Sequence, residues 1–113
     1  MKHYVSWPTV LFLIFAIGIS PVFAQKGDAA AGKALFTKRC ATCHGANGEG
    51  REALAKTLKV QMRHLGSKEV LAKSDAQLKK DTVEGTGKMK PVKDLKDSEV
   101  ADIIAYLRSL EKK

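Results

Sequence analysis

Residues 39–45 read Arg-Cys-Ala-Thr-Cys-His-Gly, "RCATCHG", and they contain both cysteines of the 113-residue chain. Two thiols stand three positions apart, and an imidazole follows the second directly. If the stretch is helical, Cys40, Cys43 and His44 fall within an arc of about 100° and face one object together. The chemistry of that object decides how the rest of the chain folds.

Working outward toward the N-terminus, "DAAAGKALFTKRC" (28–40) is alanine-rich, with Leu35 and Phe36 adjacent on one face. It reads as a helix with Asp28 as its N-cap. Further out, Lys2 precedes an apolar run from Val10 to Ile19, then Ser20, Pro21 and the small-residue pattern Val22-Phe23-Ala24. This order of charged, apolar and small-residue regions is that of a secretory signal peptide over residues 1–24, cleaved after Ala24. The apolar run falls short of the roughly 20 residues a spanning helix needs, so no transmembrane anchor is expected to remain. The mature chain is then a single domain, residues 25–113, exported to the periplasm.

Export removes Tyr4, Trp7, Phe12, Phe15 and Phe23, which leaves Phe36 and Tyr106 as the only aromatic residues. So small a domain with so little large apolar surface needs a staple, a metal or a cofactor. The formal charge of +8 falls by only one with the loss of Lys2. Such a surface favours acidic patches on partner proteins or anionic lipid, and raises encounter rates with them. Export and the shortage of stacking aromatics argue against nucleic acid. A monomer is expected.

Toward the C-terminus, "GANGEG" (45–50) is a glycine-rich loop. "REALAKTLKVQM" (51–62) spaces Leu54, Leu58 and Met62 four apart and predicts a helix, with Met62 packing on its stripe. "SDAQ" (74–77) has the form of a capping box for a helix running to a C-cap at Gly85. "GTGKMKPVKDLK" (85–96) is irregular. From Asp97 or Ser98 to about Leu110, Val100, Ile103, Ile104, Leu107 and Leu110 form one apolar stripe, with Glu99, Asp102 and Arg108 pointing elsewhere. No segment alternates with period two for long enough to be a strand. The fold class is all-α.

Against that background the cysteine cluster admits four readings. A structural zinc site needs four ligands, and His64 is the only further histidine beyond residue 24. A thiol-exchange CxxC belongs in a βαβ setting, and no strands are visible. A disulfide closing so short a loop adds little stability and leaves His44 and the thin core unexplained. The remaining reading is C-x-x-C-H as a c-type haem attachment site, with Cys40 and Cys43 forming thioethers and His44 reaching the iron. The porphyrin then supplies the large apolar body around which short helices pack.

The sixth iron position is assigned by the surroundings of the two mature methionines. Met89 lies between Gly85, Gly87 and Pro91, residues that allow unusual backbone angles and stiffen the exit. It is therefore expected as the distal ligand. His/Met ligation raises the potential and closes the iron to substrates, as an electron carrier requires. An open sixth position would instead point to a haem enzyme or a gas-binding module. A haem subunit of a larger oxidoreductase is a further alternative. His64 is expected to be a surface or packing residue rather than a rival ligand.

Taken together, "GDAAAGKALFTKRCATCHG", "GKM" followed closely by proline, and "VADIIAYLRSL" resemble a small class I, mono-haem cytochrome c of bacterial type. The resemblance spans nearly the whole mature chain. It implies the cytochrome c fold, with N- and C-terminal helices crossing near the edge of one covalently bound haem. It further implies a periplasmic electron carrier, not an enzyme, working between redox proteins. Gly32 and Phe36 match the small and aromatic positions of the first helix, and Ile103 and Tyr106 match their partners on the last. Two departures stand out. "QMRHLGS" (61–67) lacks the proline whose carbonyl often accepts a hydrogen bond from the proximal imidazole, and Lys90 separates Met89 from Pro91. Aromatic contacts to the propionates are also missing, and Arg63 or nearby lysines are candidates to replace them.

Overall fold

The computed structural model describes Gly18 and residues 27–111, so the expected signal peptide lies, apart from Gly18, outside the described residues. Six helices follow in order: α1 (Ala29–Arg39), α2 (Ala41–His44), α3 (Glu52–Leu58), α4 (Lys68–Leu71), α5 (Asp75–Glu84) and α6 (Asp97–Ser109). Among the described residues there are no strands, only an isolated bridge between Thr86 and Met89. The all-α expectation holds.

Helix α1 begins where expected. Asp28 is extended, and its carboxylate accepts from the amides of Ala30 at 2.9 Å and Ala31 at 3.2 Å, satisfying donors that a helix start leaves free. Lys38 and Arg39 close the helix, where their charge complements the dipole. Helix α6 opens with Asp97 and Glu99 in its first turn, and the Glu99 carboxylate reaches back to the Lys96 amide at 2.8 Å.

The two helices cross with backbone nearly against backbone. A Cβ built at Gly32 would overlap the Asp102 carbonyl, so no other residue fits there without moving α6. One turn on, Phe36 is buried against Tyr106, with ring centroids 5.2 Å apart at a 58° tilt. Ile103 and Leu107 complete this cluster. A second cluster joins Leu78 of α5 to Val100 and Ile104 of α6. Helix α6 thus packs α1 on one side and α5 on the other. Its expected stripe is buried at Val100, Ile103, Ile104 and Leu107, while Leu110 is half-buried at the cap.

Three local readings differ from the structure. The helix expected over 51–62 stops at Leu58, where Lys59 turns left-handed (φ 54°) and the Val60 amide bonds back to Ala55 at 3.0 Å. Met62 therefore sits on the non-helical segment that follows, half-buried, rather than on a helical stripe. Four-residue spacing fits a helix and equally a helix followed by a strap, and tertiary demand selects the second. The capping box at 74–77 is only half formed. Ser74 accepts from the Gln77 amide at 3.1 Å, but the Gln77 side chain donates to Asp81 at 2.7 Å instead.

Arg108 does more than point away from the stripe. Its guanidinium donates to the carbonyls of Leu71 (2.5 Å) and Lys73 (2.8 Å) and to the Asp75 carboxylate (2.7 Å). One planar fork on α6 pins the turn between α4 and α5. Helix α4 itself, capped by Ser67, is too short to leave a periodic signal in the sequence.

Gly32→Val is expected to destabilise the folded holoprotein by about 3 kcal/mol, as overpacking at a closed site does. Urea unfolding measures it, and a change within about 0.5 kcal/mol of wild type would refute the close crossing.

Candidate cofactor site

Helix α1 ends at Cys40, which bonds its amide to the Phe36 carbonyl at 2.8 Å. The Cys40 carbonyl in turn accepts from the amides of Cys43 (3.1 Å) and His44 (2.9 Å). Residues 40–44 therefore form one helical turn, and Gly45 (φ 79°) ends it. Because Cys40 follows Phe36 by one turn, the α1–α6 packing also orients the cysteine–histidine turn.

All three side chains of that turn line one cavity of about 1000 Å³. Its apolar walls include Phe36, Leu54, Val60, Leu78, Ile103 and Leu107, contributed by α1, α3, the segment after it, α5 and α6. Leu58, the one exposed large apolar residue among those described, also lines it.

The thiols are free. Burial pushes the Cys40 thiol up, against a lowering influence from Arg39, so it is protonated rather than a reactive thiolate. Burial pushes His44 down, which keeps the imidazole neutral, the form that binds a metal. Its Nδ1 is buried without a hydrogen-bond partner. The acceptor that proline provides elsewhere is thus not replaced by another protein group among the described residues.

Met89 reaches the same cavity from a different element. Its turn folds back on itself, with Met89 donating to the Thr86 carbonyl at 2.9 Å and accepting from the Thr86 amide at 3.1 Å. Gly85 (φ 78°) lies so close beneath that a Cβ there would meet the Met89 carbonyl oxygen at 2.5 Å. The Val92 amide donates to Thr82 at 2.9 Å, fastening the exit to α5. Arg39 donates to the Lys93 carbonyl at 2.7 Å and ties this loop to the end of α1 that carries Cys40. Lys90 is accommodated without loss of the turn.

Met62 lines the cavity too, but beside Gly50, whose amide donates to the His44 carbonyl at 2.6 Å. It belongs to the surroundings of His44, whereas Met89 hangs from α5. His64 does not line the cavity; its Nδ1 accepts from the Gly66 amide at 2.9 Å. Arg63 does line it.

Among the cavity residues that no sequence signal placed there are Lys73 and Asp81, which form an ion pair at 2.7 Å. Asp81 follows Leu78 by three positions and adjoins buried Thr82, so the face that it shares with them was legible in principle.

The family model for cytochrome c matches residues 29–111. The chain belongs to the cytochrome c family. Cytochrome c6 of Rippkaea orientalis is 48% identical over 44 residues, 39% of each chain. Cytochrome c6 of Synechocystis is 35% identical over 108 residues, covering 91% of this chain and 82% of that protein. Among solved structures, the KustC0563 c-type cytochrome overlays with a TM-score of 0.61 at 31% identity, over 72% of this chain and 98% of that one. The expected cytochrome c fold is thereby shown, and with it a haem-binding electron carrier whose cofactor is a covalently bound haem c with its iron.

The cavity fits that cofactor on its own terms. It offers two free thiols on one turn, a neutral imidazole, a thioether from a second element, and apolar walls.

Replacing Cys40 and Cys43 together with alanine is expected to abolish covalent haem and leave the chain largely unfolded by circular dichroism. A folded, haem-free double variant would show that the cofactor does not supply the core. A second expectation concerns acid. Lys73 foremost, and Gln77, hold the Asp81 carboxyl below its ordinary range. The stability it contributes is full above that ordinary range and is lost as pH falls through the lowered value. The melting temperatures of wild type and Asp81→Asn should therefore differ at neutral pH and converge in acid. A gap that is constant with pH would rule this linkage out.

Proposed function

We propose that the protein is a periplasmic electron carrier, exported by a signal peptide over residues 1–24 and active as residues 25–113. In this reading Cys40 and Cys43 hold the haem by thioethers, His44 is the proximal ligand and Met89 the distal one. The observation that carries the assignment is that Met89 and the Cys40–His44 turn open onto one apolar cavity from different elements. A haem held by these residues would supply one-electron chemistry between ferric and ferrous iron.

The chain's own residues do the rest. The self-bonded Thr86–Met89 turn, held against Gly85 and anchored through Val92 to Thr82, keeps the thioether from wandering. The crossing of α1 and α6 keeps the cysteine–histidine turn fixed. A site held on both sides reorganises little when charge changes, which favours fast electron transfer over substrate binding.

Cations line the mouth. Arg39, Arg63, Lys88, Lys90 and Lys93 all border the cavity and are all exposed. They support brief docking of acidic patches on redox proteins, steered by charge and released quickly. Among the described residues no helix is long and apolar enough to cross a membrane. A monomeric carrier between partners accounts for these features together.

The visible spectrum of the ferric holoprotein tests the ligand set. The weak far-red band of methionine bound to ferric haem is expected in wild type and in Met62→Ala, and is expected to vanish in Met89→Ala. A band lost in Met62→Ala and kept in Met89→Ala would reverse the assignment. A high-spin, ligand-accessible wild type would overturn the carrier mechanism.

A further inference from the structure

Among the described residues, six cations line the cavity, namely Arg39, Arg63, Lys73, Lys88, Lys90 and Lys93, against a single carboxylate, Asp81. That carboxylate is not at the rim. Its side chain is 17% exposed, and it projects from α5 beside Leu78 and Thr82, which are buried. Both its oxygens are engaged: Oδ2 by the Lys73 ammonium at 2.7 Å, and Oδ1 by the Gln77 amide at 2.7 Å.

We propose that the Asp81–Lys73 ion pair sets the reduction potential of the haem from the α5 wall, Asp81 favouring the oxidised state and Lys73 offsetting it. Reduction brings one electron from a donor protein and lowers the charge at the iron by one. An anion held in the cavity wall therefore stabilises the ferric form, and a cation there stabilises the ferrous form. The effect of each charge grows where water is excluded, since Coulomb energy varies inversely with the effective dielectric. The rim cations are exposed and screened by salt, whereas the Asp81 side chain is 17% exposed; that of Lys73, at 43%, is screened more than its partner.

Three features make this a fixed device. Lys73 and Gln77 hold the Asp81 carboxyl below its usual range, so it is ionised at neutral pH. Gln77 and Asp81 lie one helical turn apart on α5, which fixes the carboxylate plane. The backbone of Lys73 is itself gripped by Arg108 of α6, through the Lys73 carbonyl and the neighbouring Asp75 carboxylate. The clamp that joins α6 to the α4–α5 turn thus also sets where the Lys73 ammonium reaches. Asp81 and Lys73 are positioning residues for charge and touch no electron-transfer partner in this scheme.

The inference rests on haem occupying this cavity, as the carrier reading does, but not on the identity of the sixth ligand. The test is a redox titration of covalently loaded Asp81→Asn, Lys73→Gln and the double variant. Glu84→Gln and Lys80→Gln are controls on the same helix, at exposed positions that do not line the cavity. The midpoint potential is expected to rise in Asp81→Asn, to fall in Lys73→Gln, and to return toward wild type when both are present. Each single shift should exceed that of its control. Shifts no larger than the controls, or in the same direction for both partners, would overturn the proposal. The covalent haem spectrum is read first, so failure to bind haem is distinguished from failure to tune it. Should Asp81→Asn not fold, Lys73→Gln decides alone, because its side chain is 43% exposed and its removal opens no core. A purely structural pair would lower the melting temperature in these variants and leave the potential at its control value.

Discussion

The contact between the Cα of Gly32 and the Asp102 carbonyl is the constraint on which the other distances depend. Because no side chain separates the two backbones there, Phe36 and Tyr106 come face to edge one turn further along. Phe36 is hydrogen-bonded through its carbonyl to Cys40, so the crossing sets the position of the turn that carries Cys40, Cys43 and His44. The other side of α6 receives Leu78 and, through Arg108, grips the turn leading into α5. The Met89 loop springs from the end of α5. Both walls of the cofactor site are therefore referenced to one helix.

That arrangement is economical because there is little else to pack. The two buried clusters contain seven residues, with Phe36 and Tyr106 the only aromatic members. Each such side chain contributes roughly 1.5–3 kcal/mol on burial, a modest sum against the chain entropy of a small domain. Between the clusters lies a cavity of about 1000 Å³ with apolar walls. A haem filling that space converts walls into core. The covalent attachment site and the scarcity of large apolar side chains are thus two aspects of the same design.

Charge is distributed unevenly about this site. The outer rim is cationic and exposed, a placement that in the proposed carrier would steer partners without binding them for long. The inner wall holds a compensated pair whose partners are each fixed by further hydrogen bonds. In the proposed carrier, docking and potential would then vary separately: an exposed lysine would alter encounters, while a charge in the cavity wall would alter the iron's preference between its two states.

Much of this was readable from residue order. The spacing of Cys40, Cys43 and His44, the Asp28 cap, the Gly85 stop and the stripe of α6 are local signals, and local backbone geometry enforces them. Gly32, Phe36, Ile103 and Tyr106 stood out through family resemblance, and the crossing that unites them is what the structure contains. The end of α3 was not readable, since Leu54, Leu58 and Met62 satisfy helical spacing whether or not the helix continues. Nor was the grip of Arg108 on Leu71 and Lys73, carbonyls more than thirty positions away. By itself the sequence determined that Cys40, Cys43 and His44 face one cavity together, because they lie within a single helical turn. Only the tertiary structure decided that Met89 shares their cavity, that His64 does not, and that Asp81 faces inward. Those placements depend on packing between distant segments, which residue spacing along the chain does not encode.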